Sequence, residues 1–148
     1  METILSELEI SYKKKYVSQE KVSTSLECWK LLKRIFNQDT IDLVEEMNVL
    51  LLDNANHPIG VFRASLGGTK STIVDIKLIL SIALKCMAHS IIISHNHPSG
   101  INIPSKEDLS ITEDLKYGCK TVGITLLDHI IMTSSDKYFS FSDNGLIV

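Results

Sequence analysis

The sequence predicts an α/β domain in which a mixed β-sheet is covered by helices. Short apolar segments of the kind found in strands alternate with longer segments whose apolar residues recur every three or four positions. Two of the strand-like segments are joined by a turn-rich loop, which is typical of an antiparallel pair. The resulting order is strand, helix, strand, strand, helix, strand, helix, strand, and this order predicts helices packed on a sheet.

The first half of the chain contains three predicted strands and one predicted helix. Residues 8–12 alternate between apolar and polar side chains, which is the period of a half-buried strand. A helix is predicted after the candidate N-caps Ser23, Thr24 and Ser25, because apolar residues then follow at helical spacing: Cys28, Leu31, Leu32, Ile35 and Phe36. Residues 47–52 and 59–64 flank a cluster of turn formers and predict two antiparallel strands.

The second half alternates between helices and strands. Asp75 stands where an N-cap belongs, and the helix after it is predicted to bury one apolar stripe: Ile76, Ile79, Leu80, Ala83, Leu84 and Met87. The β-branched residues 91–93 predict a fully buried strand. Pro104 and Ser105 open a third helix with a predicted inner side of Ile111, Thr112, Leu115, Cys119 and Val122. The last clear strand is predicted at residues 124–132.

Length and charge restrict the class of protein. The 148 residues are 44% apolar and 22% charged, and we expect residues 1–148 to form a single domain whose core needs no disulfides. The formal charge of −3 provides no broad field that attracts phosphates, so nucleic-acid binding is expected to be weak. Lys13, Lys14 and Lys15 are interpreted as a solvated turn.

Cysteine usage and the apolar pattern bear on location. Cys28, Cys86 and Cys119 are odd in number and widely spaced, and we interpret them as small buried residues in a reducing cytosol. Neither a secretory signal nor a membrane-spanning segment is predicted. We therefore expect a cytoplasmic protein.

A candidate metal site follows the buried strand at residues 91–93. His95 and His97 are two residues apart in extended chain, so both imidazoles project the same way. Asp108 lies eleven residues after His97, in the first turn of the third helix, where it could supply a carboxylate. Two imidazoles and one carboxylate, without a thiolate, suit a catalytic Zn²⁺ with a fourth position left for water.

A structural interpretation of the same residues needs no metal. Two histidines at a strand end often only cap carbonyl groups. Ser105 and Asp108 also have the spacing of a helix capping box, with the serine as N-cap and the acid at N3. The histidine pair and the acid at the start of the third helix together favour a metal site more than either feature does alone.

Hydrolysis at such a site requires a base that does not bind the metal. A glutamate beside the metal would take a proton from the attacking water and later pass it to the leaving group. Glu45 and Glu46 both stand at the beginning of the strand predicted at residues 47–52. The residue pattern alone leaves both candidates open.

The motif from His95 to Asp108 resembles the signature of the JAB1/MPN metalloenzyme (JAMM) domain. In that family seven residues separate H-x-H from S-x-x-D, and His97 and Ser105 have this spacing here. The segments "HNHPSG", "PSKEDLSIT" and "LLDHIIM" resemble more narrowly the RadC-like branch, whose bacterial members are named after DNA repair. The resemblance extends over most of the chain from about Leu8.

This resemblance implies a cytidine-deaminase-like fold of three layers and a zinc ion held by His95, His97 and Asp108. The family's glutamate lies at the start of the strand that ends in "LD", which favours Glu45 over Glu46. Ser105 matches the serine thought to hydrogen-bond the oxyanion, a role worth roughly 3 kcal/mol.

Two departures from the family limit what the resemblance implies. We expect the chain to lack the N-terminal helix-hairpin-helix module that longer members carry, and its absence together with the acidic balance weakens a DNA-repair role. Many relatives also carry an arginine before the second helix, where this chain has "VDIK" at residues 74–77.

Three functions remain open from the sequence. The first is a zinc-dependent hydrolase of an amide or isopeptide bond in a peptide or protein substrate, and the second is an accessory or binding module of the RadC family with a structural or vestigial metal. A metal-dependent DNA-processing factor is the third. A homo-oligomer is also left open. His129, beside Asp128 in "LDHII", is interpreted as a packed strand residue or, less favoured, as the partner of a metal-binding histidine.

Overall fold

The computed structural model describes residue 13 and residues 20–67 and 74–148. The strand predicted at residues 8–12 and two of the three consecutive lysines lie outside the described residues. The described elements are, in chain order, α1 (Ser25–Ile35), β1 (Glu46–Leu52), β2 (Pro58–Leu66), α2 (Ile76–Lys85), β3 (Ser90–Asn96), α3 (Lys106–Thr121), β4 (Thr125–Met132) and β5 (Phe139–Ser140). The order of helices and strands predicted for this part of the chain is confirmed, with β5 as an unpredicted addition of two residues.

The five strands form one mixed sheet in the order β2-β1-β3-β4-β5. β1 is antiparallel to β2 and to β3, whereas β3 and β4 are parallel and are connected through α3. The central strands β1 and β3 are buried along their whole length, which explains the apolar runs at residues 49–52 and 91–93.

Helices cover both faces of the sheet and give three layers. On one face α2 and α3 pack against β1, β3 and β4 in a core that includes Ile79, Ala83, Leu115 and Cys119. On the other face α1 packs Cys28, Trp29 and Leu32 against the opposite side chains of the same strands. The predicted α/β fold, with a mixed sheet between helices, is confirmed.

Three details of the predicted helices are wrong. α2 ends at Lys85, and Met87 adopts a left-handed backbone (φ 53°) with its side chain 83% exposed, so it does not extend the buried stripe. Leu84 and Val122 are also more than one-third exposed, and Val122 is the C-cap of α3 rather than part of its inner side. Cys86 is the C-cap of α2 and is only half-buried, whereas Cys28 and Cys119 are buried as expected.

The helices also bear on membrane insertion. Within the described ranges, none of them combines the length and the apolar character that crossing a bilayer requires.

Candidate metal centre

β3 delivers two histidines to the edge of the sheet where α3 begins. His95 is fully buried, and the side chain of His97 is 17% exposed. The Nε2 atoms of the two rings lie 2.9 Å apart. The rings therefore direct one nitrogen each to the same point, as the i and i+2 spacing predicts.

Asp108 completes a group of three potential ligands. Its Oδ1 lies 3.0 Å from His95 Nε2, and its Oδ2 lies 3.3 Å from His97 Nε2. One ligand atom from each residue lies within 4.8 Å of those of the other two, so the group could hold a metal ion. Burial alone would raise the pKa of Asp108, but hydrogen bonds from His95 and His97 hold it far below its ordinary value. The carboxylate is thus ionised at neutral pH, as a cation site requires.

The ring of His97 is oriented by the loop that follows it. Gly100 turns the chain with a left-handed backbone (φ 77°), and the carbonyl oxygen of Ile101 then lies 2.7 Å from His97 Nδ1. A carbonyl group only accepts, so Nδ1 carries the hydrogen and Nε2 is the nitrogen available to a metal. The pKa of His97 is raised, chiefly by its hydrogen bond with Asp108 and to a smaller extent by the charge of Glu45.

The capping-box interpretation of Ser105 and Asp108 also applies. Ser105 Oγ accepts a hydrogen bond of 3.1 Å from the backbone N–H of Asp108, and the backbone N–H of Ser105 donates to Asp108 Oδ2 at 2.7 Å. These bonds fix the carboxylate at the start of α3 while Oδ1 still faces His95. The cap and the metal ligand are therefore compatible roles of one side chain.

The two candidate glutamates lie in different surroundings. Glu46 is the first residue of β1 and is 4% exposed, and its Oε1 accepts hydrogen bonds from Asn48 (2.7 Å) and Arg63 (3.2 Å). Glu45 immediately precedes β1 and lines a cavity together with His97 and other residues of the candidate metal centre. The structure therefore brings Glu45, and not Glu46, to the site.

This cavity has a polar side and an apolar side. Its volume is about 280 Å³, and the described residues that line it are Glu45, Met47, Val74, His97, Ser105, Glu107, Asp108 and Ile111. Met47, Val74 and Ile111 are the apolar members of this lining. The stretch that lacks the family's arginine thus supplies Val74 to the cavity, while its neighbour Asp75 caps α2 by accepting from Leu78 N at 3.1 Å.

Three further residues support the site, and sequence reasoning missed two of them. His129 Nε2 lies 2.8 Å from His95 Nδ1, so the less favoured interpretation of His129, as a partner of a ligand, is the one that its contacts match. Thr112 was assigned only to helix packing, yet its Oγ1 lies 2.6 Å from His129 Nδ1. Burial lowers the pKa of His129 well below its ordinary value, so this ring is neutral.

Asn96 is the other missed residue. It is fully buried between the two histidines, and its Nδ2 donates to the carbonyl groups of Ile41 (2.6 Å) and Val44 (2.8 Å). Its Oδ1 accepts from Glu46 N at 2.7 Å. The signal in the sequence was an amide directly between two candidate ligands at the end of a buried strand, because a buried amide must find several hydrogen-bond partners.

Comparison with known proteins identifies relatives of the chain. A sequence profile described as the RadC-like JAB domain matches residues 22–146. A "UPF0758 protein" of Porphyromonas gingivalis is 40% identical over 103 residues, which cover 70% of this chain and 45% of that protein. Proteins with the same description are 41% identical in Flavobacterium johnsoniae (102 residues, 69% and 44%) and in Aquifex aeolicus (103 residues, 70% and 44%).

The chain spans less than half the length of these relatives. The region that the profile matches, residues 22–146, includes the three potential ligands, Ser105 and Glu45. This match confirms the resemblance inferred from the motifs. Since the family profile covers most of its residues, the chain belongs to the RadC-like JAB domain family.

Proposed function

We propose that this domain is a zinc-dependent hydrolase of amide or isopeptide bonds. The observation that carries the proposal is the convergence of His95, His97 and Asp108 at a cavity that Glu45 also lines. A structural metal site needs ligands but no base, whereas a hydrolytic site needs both. The position of Glu45 therefore favours hydrolysis over a metal that only stabilises the fold.

The donor atoms fit zinc. Two imidazole nitrogens and one carboxylate oxygen are borderline or hard ligands, and three protein ligands beside an open cavity are typical of catalytic rather than structural zinc. Structural zinc sites usually contain thiolates, but Cys28 and Cys119 lie in the two apolar cores of the sheet, away from the group of ligands. When bound, the ion supplies Lewis acidity, which polarises the substrate carbonyl and lowers the pKa of water.

The residues of the cavity divide the remaining work. The carboxylate of Glu45 takes a proton from the attacking water and gives it to the leaving amine, which balances the protons over the reaction. Ser105 Oγ accepts from Asp108 N, so its own hydrogen is left to donate to the carbonyl oxygen as negative charge develops there. Met47, Val74 and Ile111 contact the apolar part of the substrate next to the scissile bond and exclude water from that side.

We also propose a peptide or protein as the substrate and the cytoplasm as the location. The charge of −3 opposes binding to a phosphate backbone, which supports a peptide over a nucleic acid. The thiols of the chain are free, and two of them are buried, which supports a reducing compartment.

The experiment compares two adjacent glutamates. The zinc-loaded wild type, Glu45→Gln and Glu46→Gln are assayed on libraries of peptides and isopeptides, and the zinc content of each is measured beside His97→Ala. We expect Glu45→Gln to lose about 10²- to 10⁴-fold in turnover and to retain zinc, because a general base contributes that much. Glu46→Gln is the matched control and is expected to retain activity.

Two results would contradict the proposal. Equal residual cleavage in wild type and Glu45→Gln would mean that the metal is structural or vestigial, as in an accessory module of the family. Zinc that binds as tightly to His97→Ala as to wild type would place the metal elsewhere.

A further inference from the structure

A chain of buried hydrogen bonds lies behind the candidate metal centre. His95 Nδ1 lies 2.8 Å from His129 Nε2, and His129 Nδ1 lies 2.6 Å from Thr112 Oγ1. The same Thr112 oxygen lies 2.6 Å from the carbonyl oxygen of Asp108, one turn earlier in α3. His95 and His129 are fully buried and Thr112 is 1% exposed, so water does not replace any member.

The direction of every hydrogen bond in this series follows from the backbone carbonyl group of Asp108, at which the series ends. Two oxygens at 2.6 Å repel unless a hydrogen lies between them, and a carbonyl group has none to give. The single hydroxyl hydrogen of Thr112 is therefore donated to Asp108 O. The contact between Thr112 Oγ1 and His129 Nδ1 also needs a hydrogen, so the ring of His129 must provide it from Nδ1.

The remaining bond then has one possible donor. His129 is fully buried and stacked on Phe141, with ring centroids 4.4 Å apart, which disfavours a charged ring. A neutral imidazole has one ring hydrogen, and that of His129 is already on Nδ1. Nε2 of His129 accepts, and His95 Nδ1 donates to it.

We infer that Thr112 and His129 are positioning residues that hold His95 as the Nδ1–H tautomer and so keep its Nε2 lone pair directed at the metal position. This inference rests on the proposal that the site binds zinc. The opposite tautomer would place a hydrogen on Nε2, where a metal must bind. Because Thr112 lies one turn after Asp108 in α3, the beginning of this helix both supplies one ligand and orients another.

The spectroscopic test reads the ring nitrogens of the 148-residue chain. Wild type labelled with ¹⁵N-histidine is measured by NMR at mildly alkaline pH, without zinc and after zinc addition. We expect His95 to be protonated at Nδ1 in both samples, with a coupling across the hydrogen bond to His129 Nε2. In the zinc-free protein Nε2 can carry a second hydrogen, which it donates to Asp108 Oδ1 at 3.0 Å. A His95 ring without a hydrogen on Nδ1 in either sample would overturn the inference.

Substitutions test the origin of the tautomer. Thr112→Val keeps the shape of the side chain but removes the hydroxyl, which leaves His129 Nδ1–H buried without an acceptor. We expect His129 to shift its hydrogen to Nε2, His95 to lose its hydrogen from Nδ1, and zinc affinity to fall about 10- to 100-fold in competition with a chelator. Thr112→Ser retains the hydroxyl and is expected to restore both the spectrum and the affinity.

A matched control lies on the same helix. Thr121 Oγ1 makes the same type of bond, of 2.9 Å, to Tyr117 O but contacts no histidine, so Thr121→Val is expected to leave zinc affinity and the histidine spectrum unchanged. Wild-type affinity in Thr112→Val would refute the inference. If the wild type binds no zinc, the proposed function fails, while the zinc-free spectra of wild type and Thr112→Val still show which nitrogen of His95 carries the hydrogen and whether Thr112 determines it.

Discussion

Removal of the Asn96 side chain is expected to destabilise the domain and to displace Glu45. Asn96 is the last residue of β3 and lies between His95 and His97. Its side chain holds the segment on either side of Glu45 through Val44 O and Glu46 N. Asn96→Ala leaves three backbone groups without this partner, those of Ile41, Val44 and Glu46.

The magnitude follows from the burial of those three groups. An unsatisfied buried group costs about 1–3 kcal/mol. Ile41 and Glu46 are about 4% exposed, but Val44 is only half-buried and is open to hydration, so we take the low end for each. The total is about 3 kcal/mol, which corresponds to a fall in Tm of about 6–12 °C for a domain of this size.

Urea unfolding of Asn96→Ala measures this loss, with Ser94→Ala as the control. Ser94 lies on the same face of β3 and is fully buried, but its hydroxyl has no hydrogen-bond partner among the described residues. Ser94→Ala is therefore expected to leave the free energy of unfolding nearly unchanged or to increase it. If Asn96→Ala unfolds within about 0.5 kcal/mol of wild type, the tethering role of Asn96 is wrong.

Three other measurements test the described environments. Burial raises the pKa of the Cys28 thiol to about 12 and that of Cys119 to about 11, so we expect mass spectrometry of the native protein treated with iodoacetamide to find modification at Cys86 before either of them. Zinc at about 100 times its dissociation constant is expected to stabilise the fold by about 2.7 kcal/mol, and a chelator is expected to lower the Tm by about 5–11 °C in a thermal scan. Burial raises the pKa of Asp128, so its ionisation opposes folding and the associated stability is lost as the pH rises through the folded-state pKa. Urea unfolding at several acidic pH values should show this loss of unfolding free energy in wild type and a smaller loss in Asp128→Asn. An equal dependence of the unfolding free energy on pH in both proteins would contradict the assignment of the raised pKa to Asp128.

The helices and strands could be predicted largely from side-chain period, but the ends of helices could not. The apolar positions of α2 continue to Met87 at helical spacing, yet the chain leaves the helix at Lys85 because Met87 adopts a left-handed backbone. Such a termination is decided by local backbone geometry, which is usually marked by glycine or asparagine. No such residue marks the end of α2, so the pattern predicted a longer helix.

The candidate site could likewise be predicted only in part from the sequence. Two imidazoles at i and i+2 of a strand and an acid in the next helix are local features, and the sequence predicts that they meet. The partners of His95 are not local, because His129 comes from the neighbouring strand and Thr112 from the helix above it. Identification of these contacts needs the register of β3 against β4, in which Ile93 lies opposite His129.

The topology of the sheet explains why chain segments this far apart meet at one cavity. β3 and β4 are parallel, so the chain must return from the end of β3 through a crossover, and α3 begins at that same edge of the sheet. β1 is antiparallel to β3 with Met47 opposite His95, so the residues just before β1 reach the same edge. A one-residue slip of β1 would replace Glu45 with Glu46 at the cavity. The hydrogen bonds from Asn96 to the backbone on both sides of Glu45 oppose such a slip. The same bonds therefore contribute both to the stability of the fold and to the geometry of the site.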